Sequence, residues 1–574
     1  MDQKYRVVLA YLNEFTASAD IPEDMKSKED PARQTQAVEK LLRETITTKM
    51  PDWADKIFSV GGFVRDSLLG KNPKDLDLVV DDPELKMKSA QVFAKKFTDI
   101  LGITTSNNPH PLKDAYGIWG VVLFNPKDSG GARQPFIYDG TDITGYVVEL
   151  TPPRKEGPYG FGKREPQYVE YTSREDDSKR RDLTINSLYK NLVTGKLEDY
   201  TGGQEDLKNR TLRPPEHPEG ITAIYRDDPL RVFRLLKFKG KLSGFKVSPE
   251  TESAVKAFLQ SSEGKKAMKD KLSKERIRDE FQQILTHPVG KTAVDGIEAL
   301  RDYGLLEYLS PELDKLLDVY HDTVFHKGES VWQHTMDVLE RTPPTLKARL
   351  GALFHDIGKI STMEQDTDSQ GRARVHFKGH EDVSARMADK ILRELKFPAD
   401  IAKSVQSIVH SHMGFKSFGD QKNKTQMKHM RIFIEKIQDD LDDAMSLMKA
   451  DAVDDPTELQ QVQALETKIK QLKEEDVKKG LLVDKGKGPE YVHPLTGEEL
   501  MEEYSTLQGE ALGAVKNRLK QMLLEGQFEG LDDKQRAEKA KKLVRTLALS
   551  EEQLAAVVDK YSKSKKSKPF FSAK

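Results

Sequence analysis

The chain has 574 residues, 92 Lys and Arg against 94 Asp and Glu, and a net charge of −2. That length predicts about three or four domains. The near-neutral total excludes a globally basic nucleic-acid coat but leaves room for a local basic groove. Cysteine is absent, which excludes disulfides, thiolate metal sites, iron–sulfur clusters and cysteine nucleophiles, so any metal must be held by His, Asp or Glu.

In chain order, residues 5–15 and 36–46 carry apolar side chains at helical spacing, with a polar loop between them. Residues 57–60, 76–80, 119–124 and 146–150 are short β-branched and aromatic runs and are expected to be strands. Residues 125–144 and 152–166 are rich in Gly, Pro and charge and are expected to be loops. Beyond Asp182 the pattern is helical, with segments at 272–285, 346–357, 382–395 and 433–450. Polar breaks fall at 342–344, 366–372 and 414–424. Residues 466–479 have the composition of a solvated helix. The last fifteen residues hold six lysines and no acid, which predicts a disordered tail. No apolar run approaches the roughly 18 residues of a membrane span and no signal peptide is evident, so a soluble, cytoplasmic protein is expected.

Two constellations carry chemistry. In the first, Gly61-Gly62 follows a strand and opens a helix, a geometry that lets backbone N–H groups approach phosphates. Asp75-Leu76-Asp77 then opens the next strand, and residues two apart on a strand share a face. Two carboxylates this close repel unless a divalent cation lies between them. A phosphate cradle beside paired carboxylates is what two-metal phosphoryl transfer requires.

In the second, eight of the 13 histidines fall between His321 and His412. His355-Asp356-Ile357-Gly358-Lys359 forms the centre of this group, with His334 upstream and His380, His410, His412 and Asp451 downstream. Adjacent residues on a helix point about 100° apart, so His355 and Asp356 reach one metal only from a helix end, with Gly358 as a stop. His410 and His412 cannot both face one site from a helix. The spacing of Val405, Ile408, Val409 and His412 favours His412.

These motifs resemble the class II tRNA nucleotidyltransferase (CCA-adding enzyme) and poly(A) polymerase family, followed by an HD phosphohydrolase domain. Arg181-Asp182-Leu183-Thr184-Ile185-Asn186 resembles the family's nucleotide-contacting element. Asp199-Tyr200-Thr201-Gly202-Gly203 resembles its flexible hinge. Asp227-Asp228-Pro229-Leu230-Arg231 resembles its base-selecting element, with Asp227 where the family has Glu. The resemblance implies an α+β chain, with a small mixed α/β nucleotidyltransferase head and a long all-α body that includes the HD domain. The expected domains are a helical extension (1–50), head (51–200), neck and RNA-binding body (201–320), HD domain (321–455), helical region (456–559) and basic tail (560–574).

The resemblance also implies site residues. Asp75, Asp77 and Glu149 are catalytic, with Mg²⁺ at Asp75 and Asp77. Gly61, Gly62, Arg65, Arg181, Asp182, Asn186, Asp228, Arg231 and Arg234 bind the nucleotide. Asp228 and Arg231, three apart on one helix face, read the base edge. His334, His355, Asp356 and Asp451 hold a divalent transition metal, with Ni, Mn or Fe as candidates. His380 and His412 line the phosphate pocket or a second metal site. The implied partners are CTP, ATP and the tRNA 3′ acceptor end, with no membrane. Poly(A) addition, or a hydrolase with a degenerate RNA-binding head, are the alternatives.

Overall fold

The computed structural model describes residues 27–125, 134–157, 167–320, 330–367, 373–417, 424–484, 489–503 and 509–547. The helix expected at residues 5–15, His321, His326 and the lysine tail lie outside them. The chain forms two compact units, residues 1–276 and 277–574. Among the described residues no helix is long and apolar enough to cross a membrane.

The first unit begins with α1 (Pro31–Lys49), started by a proline whose fixed φ suits the first helical position. Its buried residues Val38, Leu41, Leu42, Thr45 and Ile46 recur at three- and four-residue spacing and form one packed face. The Thr35 hydroxyl donates to the Lys74 carbonyl at 2.7 Å and lies 3.0 Å from the Tyr146 hydroxyl. The helix therefore braces the segment that leads into Asp75.

A seven-stranded sheet follows. In chain order its parts are β1 (Ile57–Val60), α2 (Gly62–Leu68), β2 (Asp77–Val80), α3 (Ser89–Leu101), β3 (His110–Lys113), β4 (Ile118–Val122), β5 (Val147–Thr151), β6 (Tyr189–Asn191) and β7 (Leu197–Glu198). The spatial order is β7-β6-β1-β2-β5-β4-β3. Only β2 and β5 pair in parallel; the other neighbours are antiparallel. Along β5, Val148 and Leu150 are fully buried while Val147, Glu149 and Thr151 are half-buried. Strand alternation thus turns Glu149 away from the core.

The neck contributes α4 (Ile221–Asp227) and α5 (Leu230–Lys241), whose buried residues include Val232, Phe233, Leu235 and Leu236. The helix Lys274–Leu285 runs from the first unit into the second.

Several expectations need correction. The chain does not become wholly helical after Asp182, because β6 and β7 complete the sheet. The loop expected at 125–144 contains a hairpin, Ile137–Tyr138 with Thr141–Asp142. Arg154–Glu156, within the loop expected at 152–166, pairs with Val169–Tyr171. Asp199 accepts from the backbone N–H groups of Thr201, Gly202, Gly203 and Gln204 at 2.9–3.1 Å. A Cβ on Gly203 would stand 2.3 Å from the Thr184 carbonyl oxygen. In this structure the segment resembling a hinge forms a turn in which close packing requires Gly203, which leaves the expected hinge as it stands.

The second unit is built on α6 (Val331–Arg341), α7 (Leu346–Phe354), α8 (His380–Glu394), α9 (Ala399–Ser411), α10 (Lys424–Ile437), α11 (Leu441–Ala452) and α12 (Pro456–Lys478). Helix α7 packs against α6, α9 and α11, and every residue from Ala348 to Phe354 is buried. The helix expected at 433–450 is two helices, because Gln438 takes a left-handed φ of 43° between α10 and α11. The polar break at 366–372 is flanked by paired strands, Glu364–Thr367 and Ala373–His376.

Helix α12 is not fully solvated. Val462, Leu465, Ile469, Leu472 and Asp476 are buried along it. Arg431 forks onto Asp476 with two 2.8 Å bonds, and the Tyr491 hydroxyl donates to the same carboxylate at 3.0 Å. Breaking one partner of such a buried pair costs about 3–5 kcal/mol.

Candidate functional site

The first site is the cleft beside Gly61. Gly61 has a φ of 67° and caps the N-terminus of α2, a conformation that side-chain-bearing residues rarely adopt. A Cβ there would stand 3.5 Å from Asp77 Oδ2 and 3.8 Å from an Arg181 guanidinium nitrogen. Glycine turn, carboxylate and arginine thus converge on one point. Asp75 precedes β2 rather than lying in it, yet Asp75 and Asp77 are exposed around the buried Leu76, so both carboxylates open to the cleft.

Glu149 stands directly opposite Asp77 on the parallel neighbour strand. The surrounding protein removes water from around Asp77 and raises its carboxyl above the usual range; Arg181 opposes the shift and Asp75 adds to it. Burial also raises Glu149, with Asp77 adding to the effect and Arg154 and Lys113 opposing it. Crowded carboxylates of this kind are relieved by a divalent cation, so the donor set fits Mg²⁺.

The sequence-predicted nucleotide residues form two linked groups. Arg181 donates to Asp177 at 3.0 Å and its guanidinium lies 5.4 Å from the centre of the Tyr189 ring. Arg65 is 2% exposed, donates to Asn186 Oδ1 at 2.7 Å and pairs with Asp66 at 2.8 Å. Asn186 in turn donates to Asp182 Oδ1 at 3.0 Å, and Arg234 lies 2.9 Å from Asp182 Oδ2. Burial works against the charge of Asp182, but Arg234, Asn186 and Lys237 outweigh it and hold the carboxyl below its usual range. The buried Arg65 thus holds Asn186, and the more exposed Arg234 pairs with Asp182.

Asp228 and Arg231 do not share a helix face as expected. Asp228 is the extended residue that ends α4, and α5 begins at Leu230. Arg231 donates to the Arg180 carbonyl at 2.7 Å. Asp228 instead accepts from Arg276 at 2.9 Å, in a pair with both side chains 10% exposed. Arg276 was missed because it lies 48 residues from Asp228 in the stretch Lys274-Glu275-Arg276, which has the composition of a solvated face. Arg276→Met is expected to destabilise the first unit by about 3 kcal/mol and to raise nucleotide KM, measured by denaturant unfolding and steady-state kinetics.

The second site lies at the end of α7. His355 caps that helix. His334 Nε2 is 2.9 Å from Asp451 Oδ1 and 3.3 Å from His355 Nε2. Asp356 Oδ2 is 3.2 Å from His355 Nε2, and its other oxygen, Oδ1, is 3.2 Å from His380 Nε2 and 4.0 Å from His412 Nε2. Two trios result, His334–His355–Asp451 and Asp356–His380–His412, with Asp356 between them.

Three imidazoles are oriented by the backbone. His355, His380 and His412 place Nδ1 at 2.8, 2.8 and 2.6 Å from the carbonyls of Ala352, Phe377 and Val409. Each Nδ1–H donates there, so Nε2 is the ring atom that each histidine turns toward the centre. Burial would lower His355, but Asp356 and Asp451 reverse this and hold it at about 10. Burial, with His380 and His355, pushes His412 down to about 3. Burial opposes ionisation of Asp356, yet His355 and Lys359 hold it well below the usual range. Buried N/O donors with ionised carboxylates fit a divalent transition metal.

Gly358 does not stop α7, which has already ended at Phe354. It is glycine because a Cβ would stand 2.6 Å from the His380 carbonyl oxygen and 2.6 Å from the Ser384 nitrogen. The missing side chain lets the His355-Asp356 turn press against the start of α8. His410 turns away from the centre and meets Asp382 at 2.9 Å, and His376 pairs with Asp366 at 3.0 Å.

Comparison with known proteins agrees with this organisation. The Poly A polymerase head domain family matches residues 57–109 and 136–213, the probable RNA-binding region of that polymerase matches 244–317, and the HD domain family matches 330–454. Both catalytic domain families imply dependence on divalent metals. The chain is 30% identical over 349 residues to the Multifunctional CCA protein of Dechloromonas aromatica, covering 60% of this chain and 70% of that protein. It is 30% identical over 398 residues to the A-adding tRNA nucleotidyltransferase of Deinococcus radiodurans, covering 68% and 75%. It is 29% identical over 402 residues to the CC-adding tRNA nucleotidyltransferase of Thermus thermophilus, covering 69% and 75%. A solved CCA-adding enzyme in an apo form aligns with a TM-score of 0.46 at 18% identity, covering 89% of this chain and 96% of that one. The chain belongs to the tRNA nucleotidyltransferase family of CCA-adding and related enzymes, in a form that carries an HD domain.

Proposed function

We propose that the protein adds C, C and A, without a template, to the 3′ end of tRNA from CTP and ATP. The observation that supports this most directly is the meeting of Gly61, Asp77, Glu149 and Arg181 at one end of the sheet. Asp75, Asp77 and Glu149 would hold Mg²⁺, which when bound supplies activation of the attacking hydroxyl and neutralisation of phosphate charge. Gly61 and Gly62 let the backbone approach the triphosphate, and Arg181 pairs with it. Asp182 and Asn186 hydrogen-bond the ribose hydroxyls, held in place by Arg65 and Arg234. The Asp228 carboxylate accepts from the exocyclic amino group shared by cytosine and adenine, and Arg231 donates to the ring edge once released from the Arg180 carbonyl. Lysines of the helical body contact the acceptor arm through its shape and backbone.

The HD centre is a second, hydrolytic site. His334, His355, Asp356 and Asp451 would hold a transition metal such as Ni, Mn or Fe, and His380 and His412 give Asp356 a second metal position. A metal bound there supplies an activated water against phosphate esters, including phosphomonoesters and 2′,3′-cyclic phosphates. The reading places the protein in the cytoplasm and keeps the head, neck, HD and C-terminal divisions described above.

Poly(A) polymerase is the second reading, favoured by the family of the head match. A tRNA lacking its terminal CCA, offered each NTP separately, distinguishes them. Addition of C alone to this acceptor, addition of A to one ending in CC, and no use of UTP or GTP are expected. Long A-tails without C incorporation would overturn the proposal in favour of poly(A) synthesis.

A further inference from the structure

Asp77, Glu149, Gly120 and His110 occupy one row across four neighbouring strands. Asp77 pairs with Glu149, Glu149 with Gly120, and Gly120 with His110. Directly paired residues project to the same face of a sheet, so His110 shares the face of the carboxylates. At the usual strand spacing its Cα stands about 14 Å from that of Asp77. Gly120 places no side chain in the gap. A Cβ there would stand 3.0 Å from Leu112 Cδ2 and 3.1 Å from His110 Cε1, so Leu112 and the imidazole share the space over the glycine.

Both ring nitrogens of His110 are shut away from solvent and neither makes a hydrogen bond. A buried donor and acceptor without partners is costly and uncommon in folded proteins. Burial lowers the imidazole from its ordinary range, which keeps it neutral, with one donor nitrogen and one acceptor nitrogen. Nothing in the chemistry assigned above uses this side chain.

Its position determines what it meets. Gly61 follows β1, Arg181 lies beside Tyr189 of β6, and Asn186 leads into β6. The nucleotide-binding groups therefore occupy the β1–β6 flank of Asp77, and His110 occupies the opposite flank. In-line displacement sets the attacking hydroxyl and the leaving pyrophosphate on opposite sides of the transferred phosphorus. With the triphosphate on the β1–β6 flank, the terminal ribose of the acceptor falls on the β5–β4–β3 flank. A neutral imidazole is a poor partner for a phosphate, which calls for a cation. It matches a ribose hydroxyl, which both donates and accepts.

We infer that His110 is an acceptor-binding residue, turning over Gly120 to hydrogen-bond the 2′-hydroxyl of the terminal ribose and so favouring RNA ends over DNA ends. The inference rests on the nucleotidyl-transfer reading above. The 2′-hydroxyl is the group by which a protein tells the two polymers apart at one site.

The test compares tRNA acceptors ending in ribose or in 2′-deoxyribose. His110→Phe keeps a ring over Gly120 and removes the nitrogens, whereas His110→Gln returns a donor and an acceptor. Wild type is expected to lose about tenfold in kcat/KM on the deoxy-ended acceptor, the scale of one hydrogen bond. His110→Phe should lose about tenfold on the ribose-ended acceptor, show no further loss on the deoxy-ended one, and keep its KM for CTP within about twofold. His110→Gln should recover part of the difference. If His110→Phe does not fold, His110→Leu, which also lacks the nitrogens, carries the same comparison.

A variant equal to wild type, or one that falls while the deoxy penalty persists, overturns the inference. Wild-type protein that adds nothing to either acceptor overturns the nucleotidyl-transfer reading and this inference with it. Wild-type addition with an unchanged deoxy penalty in the variants overturns this inference alone.

Discussion

Replacing Asp77 by alanine is expected to reduce nucleotide addition at least about 10³-fold, a loss of roughly 4 kcal/mol of transition-state stabilisation. Asp77 is where the assigned groups meet, with Gly61 beside one of its oxygens, Glu149 opposite it in the sheet and Arg181 reaching the same point. Removing its carboxylate takes away the proposed Mg²⁺ ligand and leaves Arg181 without the carboxylate beside it. Stability should not fall with activity, because burial and Asp75 both oppose ionisation of Asp77 in the protein without metal. Thermal unfolding in the presence of a chelator checks this point, and wild type and variant should unfold within a few degrees of each other. Hydrolysis of a phosphomonoester by the same preparation should be unchanged. Nucleotide addition that survives the substitution would place the chemistry elsewhere.

The converse variant, His355→Ala with Asp356→Ala, is expected to abolish phosphohydrolysis by at least about 10³-fold and to leave nucleotide addition within about twofold of wild type. His355 and Asp356 are 0% and 2% exposed, and Asp356 belongs to one trio while its Oδ2 lies 3.2 Å from His355 of the other. The double substitution opens a cavity and strips Lys359 of its carboxylate partner at 2.6 Å, so the second unit should also be less stable. The milder Asp356→Asn separates the two effects. It keeps the volume, removes the charge, and should lose hydrolysis with helical circular dichroism intact. Loss of both activities in Asp356→Asn would refute separate sites.

The candidate chemical groups were easier to find in the sequence than the frame that holds them. Gly61-Gly62, Asp75-Leu76-Asp77 and His355-Asp356 are local patterns, in which a turn, a strand or a helix end brings neighbouring residues together. The pairing of Asp228 with Arg276 spans 48 residues and has no local signal. Strand β6 is Tyr189-Lys190-Asn191, with a central lysine and an asparagine; its pairing with β1 makes it a strand, not its propensity. Strand β3 carries Pro111, which reads as a breaker, but the strand lies at the sheet edge, where the missing N–H costs little. His110 passed unnoticed for the same reason. The end of α10 at Gln438 has no Gly or Pro to mark it. At Gly358 the glycine was legible but its cause was not, because the backbone it must clear comes from α8.

The most direct test of the account is the mass of the product formed from a tRNA lacking its 3′ CCA, incubated with CTP, ATP and Mg²⁺. The account predicts a gain of two cytidylates and one adenylate followed by arrest, with no gain for Asp77→Ala. Growth by adenylate alone without a stop, or an unchanged mass with wild-type protein, would contradict it.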